Sequence, residues 1–587
     1  MRRRHLLLAA TCLALAAPAA AGPTEDFNAL TDEFWAFVMR ENPTFASQLG
    51  IRDYDDRLAD ISLAAEDRRA AQAGTFLKRL DAIPDSGLSP ADRINKAILK
   101  RTLAENIEAN GFGQRVMLFT NRGGWHQNLA DLADGLTFRT RADYDNYLKR
   151  LAQYPALNDE AIKISTQAIA QGYTLPCDSL GGFEDTISGV IPADATKSRL
   201  YAPFAAKRPA TLPAADWSAL QARARALVDG DLRRAYARHL AWYTSSYKPK
   251  CATAVGMSAM PGGKAYYNFR IRQFTTTDRT ADDIHALGLS EVQRIRSEME
   301  AVARKAGFAS REAMIADLRT NPKYYARTPE ELMQATARET KRIDGKMPTL
   351  FTVLPRLPYG IREIPAETAA GTTTAYYNPG SPENGIAGTY YVNTSKLDQR
   401  PLWEIPALTV HEAVPGHHHQ IALQQEMAMP AWRRNGTFFT AFVEGWGLYS
   451  ERLGIEMGLY DTPARDMGRL SYEMWRATRL VVDTGIHAKG WSKQKAIDFM
   501  TDNSALSAAN IEAEVNRYIA DPGQALAYKI GELKIRELRA KAERELGAKF
   551  DIRHFHDAVL SQGAVPLDVL ETQVNDWIAA ERAKPKR

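Results

Sequence analysis

Apolar residues follow well-marked helix starts at spacings of three and four positions, which is the pattern of amphipathic α-helices. The pairs Ser89-Pro90 and Thr328-Pro329 each place a capping hydroxyl before a proline at the first helical position. Ala, Leu, Glu and Arg dominate these stretches, and all four residue types favour helix. The pattern therefore predicts a mainly helical protein.

Short runs of β-branched and aromatic residues depart from the helical pattern between residues 350 and 393, and Gly, Pro and Asn separate them. These runs are 350–354, 372–377 and 389–393. They predict a small sheet. The prolines and glycines of Tyr247–Gly263 mark the best boundary between two helical parts. Because a single core rarely grows past about 300 residues, we expect an N-terminal helical lobe over 22–260 and a second lobe over 261–587 that carries the sheet.

The chain has 587 residues, of which 45% are hydrophobic and 25% are charged. This balance is typical of a soluble globular protein and excludes a disordered or collagen-like chain. The net charge of +5 is small, and three of the positive residues stand together directly after Met1. Nothing in this distribution predicts a nucleic-acid partner. After the N-terminal segment no apolar stretch approaches the roughly 20 residues that a membrane span needs.

The N-terminal segment has the pattern of a signal peptide. Three arginines precede an apolar run from Leu6 to Leu15, and a run of small residues ends at Ala21. We expect cleavage after Ala21 and a periplasmic or secreted mature protein. The alternative is a lipoprotein anchored through Cys12, which the residue before it, Thr11, and the short apolar run disfavour.

Two cysteines, Cys177 and Cys251, remain once Cys12 leaves with the signal peptide. An even number in an oxidising compartment predicts a disulfide bond between them. The alternative is a pair of unrelated buried thiols. Neither cysteine has a close Cys or His neighbour in sequence, so a zinc site built from them is not expected.

Four of the 11 histidines lie within the nine residues 411–419. The preceding segment, 401–410, is apolar and has no basic residue, so the cluster is not part of a charged tail. Imidazole is the commonest transition-metal ligand, and the adjacent Glu412 is what a metal-activated water needs as a base. The cluster therefore predicts a catalytic metal site rather than core or surface histidines.

The spacing of the ligands is unusual. The motif H-E-x-x-H places the second histidine one helical turn after the first, but that position is Pro415 here. A kink or bulge at Pro415-Gly416 would bring His417 back to the face of His411. His418 keeps that face without distortion but sits about 10.5 Å along the helix axis. We favour His411 and His417 as ligands, with His418 as the alternative second ligand.

Glu444 is the best candidate for a third ligand. The glycines at 445 and 447 weaken a helix, and they make sense where another backbone must come close. Glu451 lies seven residues further on the same face and could orient a histidine through its second ring nitrogen. The alternative is that Glu444 is a solvated helix acid. Two histidines, one glutamate and an open position predict one catalytic Zn²⁺ ion.

These motifs resemble the bacterial family filed as domain of unknown function 885. The resemblance rests on four spaced motifs in order, namely 411–418, 444–446, 483–487 and 522–531, and it covers most of the mature chain. That family is similar in turn to the helical gluzincin metallopeptidases, such as the thermostable carboxypeptidases and the angiotensin-converting-enzyme type. The resemblance implies a two-lobed helical fold with a deep cleft and a small sheet next to the zinc-site helix.

The resemblance also implies roles for further residues. Glu412 is expected to act as general base on a metal-bound water. His487 and Tyr528, each inside a resembling motif, are candidates to donate a hydrogen bond to the oxyanion or the substrate. The alternatives are a helix-end histidine and a core tyrosine. Arg479 and Arg517 could bind a substrate carboxylate through a bidentate fork, although paired or exposed arginines are commoner.

The sequence thus predicts an exported zinc-dependent peptidase that acts on short peptides or small amides. One alternative is a metal-dependent hydrolase of another amide or ester, with the same site and a different pocket. An alternative of another class is a non-catalytic protein in which the histidines only sequester an ion. The sequence predicts no particular oligomeric state.

Overall fold

Helices dominate the computed structural model, which describes residues 22–585. Helix makes up 70% of the structure, and one small sheet accompanies it, so the predicted mainly α fold class is confirmed. The signal peptide predicted over residues 1–21, with Cys12, lies outside the described residues. The predicted caps are present, since Ser89 accepts a hydrogen bond from the backbone N–H of Asp92 and Thr328 from that of Glu331.

Ten α-helices lie between residues 22 and 250, and short 3₁₀ and π turns join several of them. Their bounds are α1 Pro23–Glu41, α2 Pro43–Gln48, α3 Leu63–Asp81, α4 Pro90–Asn110, α5 Trp125–Asp131, α6 Arg141–Gln171, α7 Phe183–Ser188, α8 Ala202–Ala205, α9 Ala214–Leu227 and α10 Arg233–Trp242.

Fifteen α-helices follow within the described residues. They are α11 Gly263–Thr275, α12 Ala281–Lys305, α13 Arg311–Thr320, α14 Pro329–Asp344, α15 Ala366–Ala369, α16 Ile405–Glu412, α17 His417–Glu426, α18 Ala431–Gly436, α19 Thr440–Leu453, α20 Pro463–Lys489, α21 Lys493–Asn503, α22 Ala508–Ala520, α23 Ala527–Leu546, α24 Ile552–Leu560 and α25 Leu567–Ala583.

The sheet has three strands, β1 Tyr359–Glu363, β2 Ala375–Asn378 and β3 Gly388–Val392. β3 lies in the middle, parallel to β1 and antiparallel to β2. The predicted strands at 372–377 and 389–393 correspond to β2 and β3. The strand predicted at 350–354 is wrong, because that run is irregular and leaves Val353 and Leu354 about half exposed. A local β pattern cannot tell whether a partner strand lies within reach.

The hydrophobic core does not follow the predicted boundary at residue 260. Side chains of α1, α3 and α4 share one apolar cluster with those of α19, α23 and α25. A separate cluster holds most apolar side chains between residues 119 and 247. The division into an N-terminal lobe and a metal-site lobe therefore stays a prediction.

Helix α20 runs through the centre of the second half. Every residue from Met467 to His487 is buried, so the helix is enclosed on all sides. It carries Arg476 and Arg479 towards the histidine cluster, as described below. Among residues 22–585 no helix has both the length and the apolar character that a bilayer crossing requires.

A disulfide joins Cys177 and Cys251, whose Cα atoms lie 5.1 Å apart. The backbone beside it is paired as well, since the N–H of Cys177 donates to the carbonyl of Ala252. The bond links the segment after α6 to the segment after α10, and Cys251 packs against the 119–247 cluster.

Candidate metal centre

The histidine cluster lies at an interruption between two helices. Helix α16 ends at Glu412 and α17 begins at His417. Ala413 and Gly416 between them leave the helical conformation, and the Val414–Pro415 peptide bond is cis. The predicted distortion at Pro415-Gly416 is therefore present as a complete break in the helix.

Two contacts fix the break between α16 and α17, residues 413–416, which is called the bend below. A Cβ atom at Gly416 would lie 1.9 Å from the carbonyl oxygen of His411, so only glycine fits there. The indole N–H of Trp446 donates a hydrogen bond of 2.8 Å to the carbonyl of Pro415. Trp446 is fully buried on α19, so the bend is fastened to the helix that also carries Glu444.

Helix α19 approaches its neighbours closely at two glycines. A Cβ atom at Gly447 would lie 2.8 Å from the His411 ring, and one at Gly445 would lie 2.6 Å from the backbone of Gly531 on α23. Both distances are shorter than real Cβ contacts. The glycines of the Glu444 segment thus let α19 pack against a histidine ring on one side and against α23 on the other.

The bend brings His411 and His417 to one carboxylate. Oε2 of Glu444 lies 3.5 Å from Nε2 of His411 and 3.2 Å from Nε2 of His417. One ligand atom from each residue can be chosen so that all lie within 4.8 Å of one another. Tetrahedral ligands about 2.1 Å from an ion lie about 3.4 Å apart. The three side chains therefore form a group that could hold a metal ion, and two histidines with one carboxylate are ligands that Zn²⁺ accepts.

Electrostatics keep Glu444 ionised. Burial raises the pKa of its carboxyl group, but the nearby His417 and His411 outweigh burial and hold that pKa well below its ordinary value. Burial likewise lowers the pKa of His411, but Glu444 and Glu451 outweigh it and raise that pKa to about 9. Without a cation His411 and Glu444 thus interact as an ion pair, which a cation would replace.

Glu451 and Arg476 orient the first histidine. Oε1 of Glu451 lies 2.8 Å from Nδ1 of His411, and Nη2 of Arg476 lies 2.9 Å from the same oxygen. All three side chains are buried. Glu451 therefore stands where the sequence predicted, next to the nitrogen of His411 that does not face Glu444.

A cavity of ≈ 200 Å³ contains the group and also Glu412, which is buried. Glu412 directly follows His411, so a base next to the proposed ligands is available inside this cavity. Tyr528 lines the same space, with its ring parallel to that of His411 and the ring centres 6.2 Å apart. The structure thus brings together His411, Glu412, His417, Glu444 and Tyr528.

His418 points away from the other two histidines. Its Nδ1 atom lies 2.9 Å from the hydroxyl of Tyr377, and its Nε2 atom lies 2.9 Å from the carbonyl oxygen of Leu357. Both ring nitrogens are therefore engaged with the sheet side of the bend. The alternative that His418 is the second ligand does not fit this position.

His487 also lies outside the cavity. Its Nδ1 atom accepts a hydrogen bond of 3.0 Å from the backbone N–H of Met257, and its Nε2 atom lies 2.8 Å from the carbonyl oxygen of Tyr518. The ring is buried. The prediction that His487 donates to substrate is not supported by this position, because both nitrogens already bind backbone groups.

The two arginines proposed for a carboxylate differ. Arg479 is engaged, with Nη2 donating 2.6 Å to Glu514 and Nε donating 2.9 Å to the hydroxyl of Tyr518. Arg517 faces the cavity and donates 3.3 Å to the hydroxyl of Tyr528. Arg517 is therefore paired less closely with a carboxylate than Arg479.

Sequence reasoning missed Arg122 and Arg476, which both line the cavity. Arg476 had a detectable signal, since it precedes Arg479, Asp483 and His487 at spacings of three and four on one face of α20. No sequence signal indicated Arg122, because it lies in a turn far from the motifs. Its position follows only from the fold.

Comparisons with known proteins agree with this picture of the fold. A model of the bacterial family of unknown function DUF885 matches residues 43–574. A crystal structure of a candidate lipoprotein from Colwellia psychrerythraea is similar, with 27% identity, a TM-score of 0.87, and coverage of 95% of this chain and 100% of that chain.

A candidate lipoprotein of unknown function from Shewanella oneidensis shares the fold, with a TM-score of 0.69 at 18% identity over 94% of this chain and 99% of that chain. A search of functionally curated proteins finds no match.

Proposed function

This chain belongs to the DUF885 family of bacterial proteins of unknown function, and we propose that it is an exported zinc-dependent hydrolase of peptides. The observation that carries the proposal is the convergence of His411, His417 and Glu444 beside Glu412 in one cavity. Three protein ligands with an open position are characteristic of catalytic rather than structural zinc sites.

Zinc, when bound, would supply Lewis acidity that activates a water molecule and polarises the scissile carbonyl. Glu412 takes the proton of the attacking water and returns it to the leaving amine. The Tyr528 hydroxyl, held by Arg517, donates a hydrogen bond to the developing oxyanion. Glu451 keeps the His411 ring in the tautomer that presents Nε2.

Three features support an exported protein. The N-terminal segment has the pattern of a signal peptide. The Cys177–Cys251 disulfide suits an oxidising compartment. The similar protein of Colwellia psychrerythraea is described as a candidate lipoprotein. Together they support an activity outside the cytoplasm.

The substitution Glu412→Gln tests catalysis separately from binding. The variant should bind one zinc ion per chain, because Glu412 is not a ligand, and it should lose turnover by about 10²–10⁴-fold because the base is gone. Glu426→Gln on α17 is the matched control, since Glu426 pairs with Arg356 outside the cavity. A protein that only sequesters zinc would show no turnover in any variant.

A peptide-library digest, read by mass spectrometry, tests the substrate class. Zinc-loaded protein should cleave short peptides, and a chelated sample should not. Cleavage of esters or other amides without any peptide cleavage would instead favour the non-peptide hydrolase.

A further inference from the structure

The cavity of ≈ 200 Å³ that holds His411, His417 and Glu444 is called the inner cavity below. An arginine from the N-terminal half of the chain also lines it. Arg122 lies in the turn Thr120–Gly123, whose ends pair through the N–H of Thr120 and the carbonyl of Gly123 at 3.0 Å. Its backbone N–H donates 3.3 Å to the hydroxyl of Thr120, which fixes the turn. Within residues 22–585 its guanidinium group has no hydrogen-bond or ion-pair partner.

Arg476 and Arg479, which also line the cavity, already have partners. Arg476 pairs with Glu451 at 2.9 Å, and Arg479 pairs with Glu514 at 2.6 Å. These two charges are therefore matched by buried carboxylates. They position other residues and do not add net positive charge to the cavity.

The charge of Arg517 is only partly balanced by a carboxylate. Its closest approach to a carboxylate is 3.8 Å, to Glu514, whose other oxygen is engaged by Arg479. Its Nη2 atom donates to neutral oxygens, 2.9 Å to Gln524 and 3.3 Å to Tyr528. Arg122 and Arg517 therefore supply the positive charge of the cavity that protein carboxylates leave unmatched.

The two guanidinium groups are close enough to affect each other. Burial, and then the charge of Arg517, lower the pKa of Arg122 to about 10. Both groups are still protonated at neutral pH. Two neighbouring cations at a cavity wall repel each other, and an anion between them would relieve that repulsion.

The inner cavity continues into a larger one of ≈ 530 Å³. Both are lined by Tyr376, Ile421, Phe438 and Val443, and Phe438 is 60% exposed there although it is a large apolar side chain. A peptide chain could thus extend from the inner cavity past Phe438 into the outer one. The arginines line the inner cavity, as do His411, His417 and Glu444.

We propose that Arg122 and Arg517 bind the carboxylate of a substrate whose scissile amide lies at His411, His417 and Glu444. The substrate class is then a short peptide with its free C-terminal carboxylate in the inner cavity and its N-terminal part in the outer cavity. The protein removes residues from the carboxyl end. This inference rests on the proposed function for its scissile bond, but the carboxylate site can be measured without turnover.

The test compares three acetylated alanine-rich tetrapeptides. One ends in a free carboxylate, one ends in a carboxamide, and one ends in a carboxamide with aspartate as its last residue. Binding is measured by calorimetry on zinc-loaded Glu412→Gln protein, in which turnover does not interfere. The free acid should bind at least about tenfold more tightly than the plain amide, as expected for charge-assisted hydrogen bonds. The aspartyl amide distinguishes a side-chain carboxylate from a terminal one.

Arg122→Gln and Arg517→Gln, each added to Glu412→Gln, should reduce the preference for the acid to about threefold or less. Arg122→Lys, which keeps the charge but not the planar fork, should retain part of it. The control is Arg327→Gln, because Arg327 is exposed and pairs with Glu331 on α14, away from the cavity. Circular dichroism verifies that each variant is folded.

The outcomes separate the two proposals. Equal binding of acid and amide, no binding of either, or a preference that survives both arginine substitutions would overturn the carboxylate site. A preference for the aspartyl amide over the terminal acid would overturn C-terminal cleavage. If the acid is preferred but zinc-loaded wild-type protein cleaves no peptide, the carboxylate site stands and the proposed function fails.

Discussion

Glu451 contacts the side of His411 that Glu444 leaves free. Its Oε1 atom lies 2.8 Å from Nδ1 of the ring, while Nε2 of the same ring lies 3.5 Å from Oε2 of Glu444. Both glutamates belong to α19 and are seven residues apart, which places them two turns apart on one face. One helix thus supplies a proposed ligand and orients another.

Glu451→Gln should lower zinc affinity by about 10–100-fold, the usual effect of removing a partner that orients a ligand. The fold should persist, because the amide fills the same space. Competition with a chromophoric chelator measures the affinity. Glu339→Gln is the matched control, since Glu339 is also buried and pairs with Arg342 away from the cavity. Unchanged affinity in Glu451→Gln would contradict the orienting role.

Gly447→Ala should displace the His411 ring, because the new Cβ atom would lie 2.8 Å from it. We expect weaker zinc binding and a loss of about 1–3 kcal/mol in the free energy of unfolding. Gly74→Ala is the control, since Gly74 lies inside α3 with no atom within 4 Å of the added Cβ. That change should stabilise the protein by about 0.4–1 kcal/mol. Similar effects of the two substitutions in urea unfolding would argue against the close approach.

Trp446→Phe should loosen the bend between the two histidines. The substitution removes the donor to the Pro415 carbonyl and leaves a buried acceptor unpaired, which costs about 1–3 kcal/mol. Zinc affinity should fall as well, since the bend sets the separation of His411 and His417. Trp242→Phe also removes an indole hydrogen bond, to Thr166 near the surface, and should leave zinc affinity unchanged. Competition with a chromophoric chelator measures the zinc affinity of both variants. Equal affinities would contradict the role of Trp446 in the bend.

The grouping of His411, His417 and Glu444 was predictable to a large degree because its signals are local. The sequence run 411–419 contains the bend, and the glycines beside Glu444 indicate a close helix contact. The choice between His417 and His418 depended on the geometry of the break at Pro415-Gly416, which helix periodicity does not give. Contacts between distant segments were not predictable. Arg122 and Arg517 are 395 positions apart in the sequence, yet their charges affect each other. No local pattern marks such a pair.

The same limit explains the errors in the fold. The run 350–354 has β-forming residues, but tertiary packing decides whether a partner strand lies beside them. In this fold none pairs with the run within the described residues. Burial of His487 between Met257 and Tyr518 also depends on two distant backbone groups. Its motif indicates a constrained histidine, and the fold decides that the constraint is structural.

Glu404 should make stability depend on pH. Burial outweighs the attraction of Arg400 and raises the pKa of its carboxyl group to about 8, from 4.5 in the unfolded chain. Between these values the folded protein holds a proton that the unfolded chain has released. The free energy of unfolding therefore falls as pH rises from 5 to 8.

Glu404→Gln should reduce this fall by about 1 kcal/mol or more. Urea unfolding of chelator-treated protein at pH 5 and pH 8 measures the difference. Glu312→Gln is the control, because its hydrogen bond with Arg311 lowers the pKa of Glu312 to about 2, below the range tested. An equal fall in wild type and Glu404→Gln would contradict the assignment.

The most direct test is anomalous diffraction from zinc-soaked crystals, recorded on both sides of the zinc absorption edge. The account predicts a single strong peak about 2.0–2.2 Å from Nε2 of His411, Nε2 of His417 and a carboxylate oxygen of Glu444. The peak should vanish in His417→Ala and persist in His418→Ala. No peak at this position, or a peak that His418→Ala removes and His417→Ala leaves, would contradict it.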